Sequence, residues 1–201
     1  MNKLIKHRGI AIVMAGFCFA IPNTVILPFV DFGAPYGELL TSTSFLYRMI
    51  FAALTVALLL FGVSGIYLHH SKIERGKLFR NISFMIAFFG TAFMLANEWH
   101  QIFVLPEVAN INPEAVDKLG GRFAIGATTA LTTFSLGWIL FSISLLISRK
   151  LKRLGPILVL SGFFMIPLFS GIFTPAIGGI VGGVFLGVGF FLIGVELIKS
   201  S

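Results

Sequence analysis

Residues 46–68 read LYRMIFAALTVALLLFGVSGIYL, twenty-three positions with a single charge, Arg48, near one end. A helix rises about 1.5 Å per residue, so about 20 such residues cross a hydrocarbon core of about 30 Å. The stretch is apolar all round rather than along one stripe, which suits a helix with no water on any side. Lipid offers no partners to backbone N–H and C=O groups, so a spanning segment satisfies them internally as a helix.

Five more stretches of the same kind lie on either side, at about 9–30, 81–104, 123–147, 156–174 and 176–196. The chain is 57% hydrophobic and 11% charged, against about 25% charged in soluble domains. The expected fold is all-α, a polytopic bundle of six transmembrane helices, with residues 1–201 as one transmembrane domain. A basic start followed by Cys18-Phe19-Ala20 resembles a signal peptide, but the apolar run continues to Val30. That exceeds an ordinary signal core of about 7–15 residues, and the segment is expected to stay as the first span.

Lys and Arg set the orientation. Lys3, Lys6, Arg8, Lys72, Arg75, Lys77, Arg80, Arg149, Lys150, Lys152, Arg153 and Lys199 fall on one side, and Arg48, Lys118 and Arg122 on the other. Twelve against three in short loops predicts cytoplasmic N- and C-termini in a cell (inner or plasma) membrane. The formal charge of +7 would also suit a nucleic-acid binder, but its residues are dealt out between apolar runs to orient helices, and no nucleic-acid partner is expected. Asn81-Ile82-Ser83 matches a glycosylation sequon, but on the cytoplasmic edge it would not be modified.

Between spans three and four, Asn112-Pro113-Glu114 reads as a helix start and Gly120-Gly121 as a stop. A short extracytoplasmic surface helix is expected from Pro113 to Leu119. Pro167 should kink the fifth span, and Pro22 and Pro28 the first. In the last span Gly178, Gly179, Gly182, Gly183 and Gly187 make overlapping small-xxx-small steps, expected to form an internal packing face. The alternative is a face for a membrane-protein partner or a second copy.

One polar stretch interrupts the apolar pattern, Asn97-Glu98-Trp99-His100-Gln101. On a helix Asn97, His100 and Gln101 share a face, and Glu98 points about 100° away. Counting the rise from Arg80 puts Glu98 about 27 Å and His100 about 30 Å up, near the outer interface. Arg48, Arg122 and, somewhat deeper, Asn23 reach similar levels. The candidate ligand-binding set is therefore Arg48, Asn97, Glu98, His100, Asn23 and Arg122. Arg48 is expected to offset Glu98 or hold an anionic group, and His100 to titrate or hydrogen-bond. The plainer reading is a rim of polar residues at a helix end, with Trp99 anchored at the interface among membrane lipids.

No metal or cofactor is expected. His7, His69 and His70 belong to the side opposite His100, so no bis-histidine haem level exists, and Cys18 stands alone. His69 and His70, beside a basic loop, are expected to meet lipid headgroups. There is no His-Glu-x-x-His, Gly-x-Ser-x-Gly or phosphate-binding glycine loop. Three functions remain: a protein that binds or transports a small molecule in the outer half of the bundle; a non-catalytic subunit or assembly protein packing through its last helix; or an enzyme acting on a lipid or quinone. The last is weakest, because two polar residues on one helix make no mechanism.

Overall fold

The computed structural model describes residues 2–118 and 120–200. Six helices are long and apolar enough to cross a membrane: α1 (Asn2–Ile21, continued by irregular turns to Phe29), α3 (Thr43–His70), α4 (Lys77–Phe103), α7 (Arg122–Ser148), α8 (Leu154–Ile172) and α9 (Pro175–Lys199). Three short helices complete the fold: α2 (Tyr36–Thr41), α5 (Leu105–Ile111) and α6 (Pro113–Asp117).

Each span packs on its neighbours in sequence, and α9 closes onto α1, so the six form a ring. Small residues set the closest approaches. A methyl added at Gly137 of α7 would lie 2.5 Å from the Ala87 Cα of α4, and one at Gly90 would lie 2.5 Å from the Thr133 backbone. The ring closes the same way. Gly16 on α1 faces Gly187 on α9, and Gly9 faces Gly194, in each case carbonyl oxygen against the space a Cβ would take. Contact between backbones is what holds helices together where lipid is as apolar as the side chains. Gly9 and Gly194 side by side also place both chain termini at one end of the bundle, here the termini end.

The half of the ring toward that end is filled. Leu59, Val63 and Ile66 from α3, Trp138, Phe141 and Leu145 from α7, and Leu186, Phe190 and Ile193 from α9 are buried together. Trp138 sits edge-on to Phe141 and Phe190, at centroid separations of 6.0 and 4.9 Å. Its indole N–H donates to Thr91 Oγ1 at 3.0 Å, and the Thr91 hydroxyl donates to the Ala87 carbonyl. Outside the ring, mid-span Met14, Phe17, Leu54, Phe89, Phe164 and Val188 are exposed, an apolar shell suited to lipid rather than water.

The opposite end differs from expectation. Instead of one surface helix there are three, α2, α5 and α6, packed on one another as a cap. Leu39 and Leu40 meet Leu105, Ala109 and Val116 in a small core of their own, together with Phe45 and Met49 of α3. The Gly37 N–H donates to Asp117 Oδ1 at 2.8 Å and ties α2 to the end of α6. The helix start at Asn112 is present: its side chain accepts from the Ala115 N–H, with Pro113 in the first turn. That helix ends at Asp117, and Leu119, its expected last residue, lies outside the described residues. The connection after α4 is helical from Leu105, with Pro106 in its first turn, so α5 follows the third span almost without a break.

Candidate functional site

Below the cap, the half of the ring that is not filled encloses a chamber of about 720 Å³ to which all six spans contribute. Its walls are mostly apolar. Pro22 and Leu27 come from the irregular turns that continue α1, Ala52 and Val56 from α3, Met94 from α4, Ile139 from α7, Ile166 and Pro167 from α8, and Leu186 from α9. Phe19, Phe134 and Phe163 border the packed core beneath it.

Three of the six expected site residues, Asn23, Arg48 and Glu98, line this chamber. Asn23 is placed by proline chemistry. Pro22 offers no N–H, and the helix widens into a π turn over Pro22–Ile26, closed by Leu27 N–H to the Pro22 carbonyl. The Asn23 amide donates to the Phe19 carbonyl at 2.7 Å, while Gly183 and Gly179 make room for the side chain. A methyl at Gly183 would lie 2.5 Å from the Asn23 Cβ.

Glu98 is 2% exposed, a carboxylate sealed inside the ring. Its Oε2 is buried without a hydrogen-bond partner, and so is the Nε of Arg48. Among the described residues the ion pairs are Lys77–Glu74, Lys118–Glu114 and Lys152–Glu196, so Arg48 and Glu98 face one chamber without touching. Of the two roles expected for Arg48, offsetting Glu98 or holding an anionic group, the first is not met by a direct ion pair among the described residues. Among the described residues the Arg48 guanidinium makes only a long hydrogen-bond contact, 3.9 Å, with Met49 Sδ. Tyr36 of the cap reaches toward the same place, its hydroxyl 3.4 Å from Gln101 Oε1. Burial, and then the nearby Glu98 carboxylate, hold the Tyr36 phenol above its ordinary range.

The other three residues lie elsewhere. Asn97, His100 and Arg122 line a shallower groove of about 430 Å³ between α4 and α7, with Phe93 and Phe123. The His100 ring rests 5.5 Å from that of Phe123. The expected cluster is thus split in two by α4, because Glu98 turns inward while Asn97 and His100 turn to the far side. Trp99 is 62% exposed and its ring lies tilted against that of Phe103, at a centroid separation of 4.3 Å.

The sequence reading missed Thr55, Thr132, Ser135 and Ser170, which add hydroxyls to the chamber, and Cys18, which is half-buried in its wall. Single hydroxyls in apolar spans give no signal until the neighbouring helices are in place. The five expected packing glycines all lie against the chain's own helices. Gly178 and Gly182 face α8, and Gly179, Gly183 and Gly187 face the first span.

At the termini end His69 and His70 do not meet solvent or headgroups; both are buried. His70 Nδ1 is 2.8 Å from the Ile66 carbonyl, His69 Nε2 is 3.2 Å from Ser200 Oγ, and the Lys150 ammonium donates to the His69 carbonyl. The last turn of α3 is covered by the α7–α8 loop and the end of α9, which a linear count of residues does not reveal. Burial, then the charge of Lys72, lower the Lys150 pKa from its usual value. Among the described residues no three of His, Cys, Asp and Glu gather closely enough to hold a metal ion.

Six apolar spans with a lipid-suited shell make this a multi-pass integral membrane protein. Comparison with protein-family models, curated proteins and solved structures finds no match to the chain.

Proposed function

We propose that the protein binds a small, largely apolar molecule in the chamber beneath the cap. The observation that carries this reading is the pairing of space with unspent polarity. Glu98 Oε2 and Arg48 Nε, both buried and unpartnered, face about 720 Å³ of mostly apolar enclosure. That volume is within the range of about 300–1,000 Å³ typical of ligand pockets, which are apolar with a few placed polar groups. A carboxylate kept away from water without a partner is costly, and intramembrane ionisable groups of this kind usually serve a ligand or a pathway.

The aromatic packing around Trp138 closes the chamber toward the termini end, which favours binding over open passage; transport would require that floor to move. In this reading the cap faces the outside and the termini the cytoplasm of a cell membrane, an orientation supported by the positive-inside distribution of Lys and Arg. The alternative, a subunit that packs on a partner through its last helix, loses its chief support because the glycines of α9 are already occupied by α1 and α8.

The test is extraction of the purified protein with organic solvent and mass spectrometry of what is released. Wild type should yield a stoichiometric small molecule, and Ala52→Phe, which fills the chamber, should yield far less while eluting normally. Equal release from both would refute the reading.

A further inference from the structure

The chamber has one thin wall. In α8 the buried residues are Gly155, Pro156, Val159, Gly162 and Phe163, and none lies beyond Phe163 toward the cap. In α7 they begin at Ala130 and concentrate from Phe134 onward toward the termini end. The two helices are therefore pressed together in their filled half and part in the other. Along this seam Leu131 and Leu136 line the chamber and are also 55% and 47% exposed. Pro167 lies on the opposite side of the same seam, inside α8, where it removes a backbone hydrogen bond. The water-facing route is better closed. α2, α5 and α6 share a buried core above the chamber, latched by Gly37 N–H to Asp117.

We infer that the ligand is a single-chain amphipath drawn sideways from the leaflet at the cap end through the α7–α8 seam, its uncharged or zwitterionic head bridging Arg48 and Glu98. This rests on the reading that the chamber binds a small molecule, and adds what the molecule is and how it arrives. The head follows from the two orphaned atoms. Arg48 Nε–H needs an acceptor and Glu98 Oε2, as a carboxylate, needs a donor. Their formal charges cancel, so a head with both functions and no net charge leaves no residual charge in an apolar enclosure. The tail follows from the apolar walls, and a single chain from a volume too small for a two-chain phospholipid.

The protein carries its own reporter. Trp138 lies in the core bordering the chamber and the other tryptophan, Trp99, is on the surface. In full-length Trp99→Phe protein in lipid nanodiscs, monoolein brominated across its double bond should quench Trp138 saturably. Dioleoylphosphatidylcholine brominated in the same way should not. Glu98→Gln in that background should raise the half-quenching concentration of the monoolein probe about tenfold, the loss of one hydrogen bond to a charged group. Ser135→Phe, in the chamber wall between Leu131 and Leu136, should slow the onset of quenching, and Asp117→Ala, which removes the acceptor for the Gly37 N–H and loosens the cap, should leave it unchanged. Equal quenching by both lipids, or none by the monoacyl probe, overturns the inference; faster onset in Asp117→Ala than in the parent overturns the lateral route. Release of a water-soluble molecule from wild type but not from Ala52→Phe would sink this inference and leave the binding reading intact.

Discussion

Replacing Gly187 with alanine tests whether backbone contact closes the ring. The added methyl would lie 2.6 Å from Ala20 Cβ and 2.8 Å from the Gly16 carbonyl oxygen, against ordinary contact at 3.4 Å or more. The helices must therefore move apart by 0.6 to 0.8 Å, the difference between those distances. Neither obstacle is the free end of a flexible side chain, so the strain falls at the upper end of small-to-large costs, about 3 kcal/mol. Alanine recovers about 1 kcal/mol of helix propensity, leaving a net loss of about 2 kcal/mol. For a chain of this size that is a fall of about 4–8 °C in midpoint. Gly126→Ala is the control: nothing lies within 4 Å of its added methyl, so only the propensity gain remains. The assay is thermal unfolding in mild detergent, followed by loss of the monodisperse peak in size-exclusion chromatography. A Gly187→Ala protein as stable as wild type, beside a Gly126→Ala protein that is not destabilised, would refute the idea that glycine contacts set the α1–α9 distance.

Arg48→Gln and Glu98→Gln should each destabilise the protein, and the double variant by less than their sum; a double-mutant cycle should give a coupling of about 1–3 kcal/mol, and additivity would separate the two charges. Thr91→Val strips the Trp138 indole N–H of its acceptor in a fully buried place and should cost about 1–3 kcal/mol in thermal or denaturant unfolding, whereas an unchanged midpoint would mean another acceptor replaces it. A phosphatase active only outside the cytoplasm should be active when fused after residue 110 and silent when fused after residue 200; the reverse pattern would invert the orientation.

The spans were legible because length and circumferential apolarity are local properties, and their boundaries agree with the helices to within a few residues in most cases. The first span begins earlier than 9, because Lys3, Lys6 and Arg8 belong to the same helix as the apolar run. The cap was legible only in part. Asn112-Pro113 announces α6 with a capping side chain, but Pro106-Glu107 follows Val104, which offers none, so the start of α5 carries a weaker signal. Tyr36–Thr41 is too short to show a period.

The burial of Glu98 lay beyond the sequence for a different reason. Rise along a helix gives height, not what stands beside the residue, and the cap over Glu98 comes from distant residues in α2, such as Tyr36, as well as from α5. The division of Asn97 and His100 from Glu98 was implicit in the helical angle between them. Only the position of α7 relative to α4 decided which side became the chamber and which the groove.

The closure of α9 onto α1 gives the molecule an order of assembly. The spans α1, α3, α4, α7 and α8 can meet in turn as each follows the last out of the ribosome and into the bilayer, since each packs on the span before it. The first helix must wait for its second neighbour until the twenty-five residues of α9 arrive. Until then the compartment has a missing side, and Arg48 and Glu98 stand beside an unfinished wall, so the newborn chain acquires its interior only when α9 enters the bilayer.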